Sequence, residues 1–101
     1  MTIFASRVDA YLTHLRVERR LAGNSVESYA RDLALLAEFA AGRGMPIEKL
    51  ARPDLEGFVR NQMSAGRSPR SVARAVACYR GFYRYLILDG RLKASPADGL
   101  R

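Results

Sequence analysis

From Ser68 to Gly90 apolar residues recur every three or four positions, and no strand-like alternation interrupts them. That period commits the segment to an amphipathic helix. Ser68 reads as its N-cap and Pro69 sits in the first turn, where a missing N–H costs nothing. The helix is expected to reach about Asp89, with Gly90 ending it. Counted from Arg70 at about 100° per residue, Val72, Ala75, Val76, Tyr79, Phe82, Tyr83, Leu86 and Ile87 spread over one broad arc. Arg70, Arg74, Arg80 and Arg84 fall on the opposite side, within about 120° of one another.

Three more helices precede it. The first is expected from about Phe4 to Arg20, with Phe4, Val8, Tyr11, Leu12 and Leu15 as its apolar stripe and Gly23 ending it. The second runs from about Ser25 to Ala41 on Val26, Tyr29, Leu33, Leu36, Phe39 and Ala40, and Gly42 and Gly44 stop it. Asn24 or Ser25 caps its start, with Glu27 three residues after Asn24 completing a capping pair. Met45 to Arg52 is a connector with Ile47 and Leu50 tucked in. Pro53 opens a third helix carrying Leu55, Phe58, Val59 and Met63, which ends before Gly66. The tail from Arg91 to Arg101 reads as an extended segment or short turn packed by Leu92 and Leu100. The expected class is therefore all-α, in one domain spanning residues 1–101. With 49% apolar residues the chain can bury a core without staples.

Cys78 is the lone cysteine, so no internal disulfide can form. It falls in an apolar helical pattern and reads as a structural thiol near the core edge. No apolar run approaches the roughly 20 residues of a membrane span. Met1 to Leu12 contains Arg7 and Asp9 in place of an apolar leader core. A soluble, cytoplasmic protein without a membrane partner is the expectation.

Charge narrows the function. Seventeen Lys and Arg oppose 10 Asp and Glu, a net +7, and Lys occurs only at Lys49 and Lys93. Arginine's planar fork suits phosphates and base edges. Four arginines on one helix face repel one another by on the order of a few tenths of a kcal/mol per close pair, and folding gives no reason for it. A solvated face usually interleaves acids with bases. Between Pro69 and Leu88 there are none. The loop before this helix adds Arg67, Ser68 and Ser71 at a helix N-terminus, where amides and dipole favour anions. Asn24, Ser25 and Ser28, with Arg31 one turn on, make a second such start. Both starts also have a plain reading as ordinary caps, and the arginine face as a solvated one.

Catalysis is not indicated. His14 is the single histidine, on the polar side of the first helix, and reads as a solvated surface residue. Gly42-Arg43-Gly44 lacks the strand a phosphate-cradling loop requires. Asp32 and Glu38 make no convincing acid pair, and Tyr29, Tyr79, Tyr83 and Tyr85 lie mostly in apolar stripes. No nucleophile has a base beside it. No metal or other cofactor is expected.

Several segments together resemble a known family. Tyr11-Leu12-Thr13-His14-Leu15, Glu18-Arg19-Arg20-Leu21-Ala22 and Asn24 through Leu33 follow the opening pattern of Xer-type tyrosine recombinases, hLxhLxxERxLSxNTxxxYxRDL, where h is apolar. Arg80-Gly81-Phe82-Tyr83-Arg84-Tyr85-Leu86 is similar to that family's RxFYxYL helix. Ser95-Pro96-Ala97-Asp98-Gly99-Leu100 is similar to the NPAxxL segment that leads into the catalytic domain. Ala22-Gly23 and Ser25 depart from the frequent Leu-Ser and Thr.

The resemblance implies a core-binding, SAM-like domain of four helices in two crossed hairpins. With the catalytic domain, it would form a clamp around double-stranded DNA, helices two and four facing the duplex. Carried over by position, the DNA-facing candidates are Asn24, Ser25, Ser28, Arg31, Arg67, Ser68, Arg70, Ser71 and Arg74, then Arg80 and Arg84. The family's catalytic Arg, Lys, His-x-x-Arg and Tyr would all lie beyond Arg101, so this chain is expected to be no enzyme by itself. Its end near the implied linker suggests a domain cut from a longer recombinase. Its further partners would be other recombinase protomers, and the isolated domain would be monomeric. The rival readings are a helical interaction module that binds an acidic partner through the same face, and a stand-alone DNA-binding relative that competes with an intact recombinase.

Overall fold

The computed structural model describes residues 3–100, with side chains from residue 7 onward. Its α-helices are α1 (Ile3–Val17), α2 (Gly23–Gly42), α3 (Arg52–Ser64) and α4 (Pro69–Leu88), with a 3₁₀ turn at Ile47–Lys49. No strand occurs among the described residues, so the chain is all-α as expected. None of these helices is long and apolar enough to cross a membrane. The chain divides into two compact units, Met1–Ile47 and Glu48–Arg101.

The first unit packs α1 on α2. Val8, Tyr11 and Leu15 are buried on α1, and Val26, Leu33, Leu36 and Ala40 on α2, the helical spacing that the sequence showed. Phe4 lies outside the described side chains. Ile47 is fully buried at the unit's end.

Two expectations fail at the turn between these helices. α1 ends at Val17, well before Gly23. The left-handed residue is Arg20, at φ 53°, and the Leu21 N–H donates back to the Leu15 carbonyl at 3.1 Å. The N-cap of α2 is Ala22, with no side-chain cap bond, so Asn24 and Ser25 lie inside the helix and the Asn24–Glu27 capping pair does not form. A side chain caps only from the half-in flanking position. Ala22→Ser is therefore expected to stabilise the protein by about 1 kcal/mol, read from denaturant midpoints. An unchanged midpoint would mean that these amides already have partners as good.

The second unit packs α3 on α4. Leu50 is buried ahead of α3, as the connector reading expected. α3 begins one residue before Pro53, and Asp54 Oδ2 accepts the Ala51 N–H at 2.9 Å, tying off the helix start. Leu55 and Val59 are buried, but Met63, read as part of the apolar stripe, is 55% exposed. The Phe58 and Tyr79 rings meet at 6.2 Å. On α4, Val72, Ala75, Val76, Tyr79, Phe82, Tyr83 and Leu86 are buried, with Ile87 half-buried. Cys78 is fully buried rather than at the core edge. Ser68 caps α4 as expected, its Oγ accepting the Ser71 N–H at 3.2 Å. Gly90 ends the helix in the left-handed region, φ 75°, where only glycine sits without penalty. Past it the chain turns, with Ala97 and Leu100 buried and Leu92 half-buried.

Candidate nucleic-acid interface

On α4 the apolar arc is buried, which fixes what the other side presents. Arg70, Ala73, Ala77, Arg80 and Arg84 form an exposed stripe at helical spacing, with Arg74 half-buried at its margin. The two alanines leave low ground between the arginines, so an approaching surface can reach close to the helix. Neither α4 nor its first turn contains an acidic side chain. The acid just past its end, Asp89, is paired with Arg91 at 3.1 Å. The helix thus presents cations with no acidic side chain of its own among them.

The loop before α4 is tied to both of its helices. Arg67 is half-buried and its Nη1 donates to Gln62 Oε1 at 2.6 Å, which fastens it to the end of α3. The Ser68 hydroxyl donates to Ser71 Oγ at 3.0 Å while also capping the helix. These residues shape the helix start, and Arg70 projects beside them as the exposed charge. Arg80 departs from the expectation in another way. It is exposed, yet its Nη2 donates to the carbonyl of Leu100.

In the first unit the candidates Asn24, Ser25, Ser28 and Arg31 all lie on the first turns of α2. Asn24 is exposed, as is Arg31, whose Nη2 donates to the half-buried Ser28 at 3.4 Å. No acidic residue stands in this first turn either. With Ala22 as cap, the Asn24 amide is left for contacts outside the helix.

Among the described residues the chemistry-bearing side chains are engaged in packing and local pairs. His14 is half-buried rather than simply solvated. Its ring stacks with Tyr11 at 6.4 Å between centroids, and Nδ1 bonds Glu18 one turn on. Burial pushes the Tyr83 phenol far above its ordinary range, and Glu48, Tyr79 and Asp54 add to the effect, so it is a neutral packing group. Among the described residues no three His, Cys, Asp or Glu side chains gather as metal ligands would.

Two residues were missed from sequence. Asp32, passed over as a scattered acid, is fully buried on α2. A carboxylate so placed needs a partner, and it has one. Arg52 reaches the Gly99 carbonyl at 3.4 Å across 47 positions, a separation no local pattern reports.

Comparison with known proteins covers most of the chain. The sequence profile of the phage integrase N-terminal SAM-like domain matches residues 8–90. Tyrosine recombinase XerC of Xanthomonas campestris pv. campestris (strain B100) is 35% identical over 97 residues, which is 95% of this chain and 30% of that protein. XerC of Pseudomonas entomophila is 38% identical over 93% of this chain and 32% of its own length. XerC of Pseudomonas syringae pv. tomato is 39% identical over 92% and 31%. The chain thus spans under a third of the length of these curated relatives. No solved structure matches it significantly.

Proposed function

This chain belongs to the phage integrase N-terminal SAM-like domain family, and from that membership we propose that it is the DNA-gripping domain of a site-specific tyrosine recombinase. As a single core-binding domain it makes half of a clamp on a recombination half-site and positions a catalytic domain for strand cleavage and exchange. The observation that carries this reading is the acid-free arginine face of α4, which a polyanion would stabilise and folding alone does not require. Arg70, Arg74 and Arg84 supply phosphate contacts, and Arg70 or Arg74 reaches a base edge in the major groove. Ser68 and Ser71 at the start of α4, and Asn24, Ser25, Ser28 and Arg31 at the start of α2, add hydrogen bonds to the backbone. Arg67 acts by holding the loop. The partners are double-stranded DNA and, in the longer protein, other recombinase protomers. The domain alone is a monomer.

The test sets duplex DNA against a polyglutamate chain of similar charge, both read by fluorescence anisotropy with this domain. The proposal expects DNA to be preferred by roughly tenfold or more, because helix and groove geometry add to charge. Equal binding would favour an interaction module that takes any acidic partner through the same face.

A further inference from the structure

The last turn of the chain is fastened in a way that the DNA reading does not use. After α4 the segment Ser95-Pro96-Ala97-Asp98-Gly99-Leu100 folds on itself. The Ala97 N–H donates to Ser95 Oγ at 3.1 Å, and the Leu100 N–H donates to the Ala97 carbonyl at 3.0 Å. Ala97 and Leu100 are buried. Chain ends tied only by their own turn bonds usually fray.

Two arginines from different helices close on this one. Arg80 of α4 donates through Nη2 to the Leu100 carbonyl, and Arg52 of α3 donates through Nη2 to the neighbouring Gly99 carbonyl at 3.4 Å. Arg52 is steadied in turn by Glu56, whose Oε2 accepts its Nε at 3.3 Å. Gly99 has φ 75°, and a Cβ there would stand 2.9 Å from Arg52 Nη2. Glycine therefore serves twice at this position: it adopts the turn, and it leaves room for the guanidinium to reach the carbonyl. Both bonds come from a charged donor, Arg80's part-buried and Arg52's exposed. Two in succession on adjacent carbonyls hold the exit of the chain from both helices.

We infer that Arg52 and Arg80 are positioning residues that clamp the Gly99–Leu100 carbonyls, so that the polypeptide leaves this unit at a fixed place and in a fixed direction. Its purpose rests on the DNA-gripping reading: the chain spans only 30% of the matched Xanthomonas relative, and a fixed exit would set where a following catalytic domain meets the DNA. The same inference removes Arg80 from the DNA contacts, although it shares a helix face with Arg84.

Hydrogen exchange on the whole 101-residue chain separates these roles. Arg80→Ala is expected to speed exchange at the Leu100 and Asp98 amides by about tenfold while leaving Tyr79 and Tyr83 in α4 protected. Affinity for duplex DNA is read on the same variant, to set any loss there against the state of the tail. Arg80→Lys, which keeps one charged donor, should recover much of the tail protection. Gly99→Ala and Arg52→Ala should loosen the same amides, and they carry the test if Arg80→Ala disturbs α4 as a whole. Unchanged tail exchange in all of these variants would overturn the inference. So would a loss of DNA affinity in Arg80→Ala with the tail still protected, which would return Arg80 to the DNA face. Because the tail is read without DNA, a failure of the DNA reading would leave this result standing.

Discussion

Alanine at Arg70 or Arg74 is expected to weaken duplex DNA binding by about 1–3 kcal/mol, roughly five- to 150-fold, if the side chain reads a base. Both lie in the first two turns of α4, Arg70 exposed and Arg74 half-buried, on a helix that carries no acid of its own. A guanidinium that bridges a guanine edge through two parallel bonds loses both on truncation, and the loss then depends on the sequence of the duplex. A phosphate contact would give a smaller loss, equal on every sequence, with the salt slope reduced by about one. Titrating each variant on the same set of duplexes distinguishes the two roles. Unchanged affinity in both variants would remove this part of α4 from the interface.

The second large effect is on stability, because the helix that presents the arginines also supplies much of the buried surface. Phe82 is fully buried, and its ring meets Tyr83 edge-on with centroids 5.3 Å apart. Phe82→Ala removes that contact and leaves a cavity, at a cost of about 3–5 kcal/mol. A domain of this size holds about 5–15 kcal/mol in total, and each kcal/mol moves its Tm by about 4–8 °C. A fall in Tm of about 15 °C or more is therefore expected, followed by loss of helical circular dichroism. A fall of only a few degrees would mean that the apolar arc of α4 is not packed as described. DNA affinity measured well below the lowered Tm should change little, which separates the two faces of one helix.

Periodicity made most of this fold legible. Four helices follow from apolar spacing and Gly/Pro punctuation, and the Ser68 cap and the buried Ile47 and Leu50 follow from local chemistry. The errors share a cause. Asn24 looked like a cap because Asn caps well, but the helix had already begun at Gly23 with Ala22 in the cap position, a matter of backbone geometry that composition does not encode. Gly23 looked like a terminator, whereas Arg20 adopts the left-handed turn that glycine usually takes. Met63 sits in the apolar stripe of α3 but past the part that is covered.

The candidate interface was legible to the same degree. The arginine face of α4 is a property of one helix, so spacing and the missing acids disclose it. What each arginine does within that face depends on distant chain. Arg80 and Arg84 are neighbours on one face of the helical wheel, and the bond from Arg80 to the Leu100 carbonyl sets them apart. Arg67 reads from sequence as a DNA-facing candidate at the start of α4, and its bond to Gln62 at the end of α3 is visible only in the structure.

Contact with DNA through these arginines would show first in the salt dependence of binding. Anisotropy of the domain on labelled duplex, repeated from low to moderate salt, should give binding that falls steeply. A log–log slope of about −3 or steeper is expected if several phosphates are neutralised. Absence of binding even at the lowest salt, with the domain shown to be folded, would mean that this domain does not grip DNA through α4.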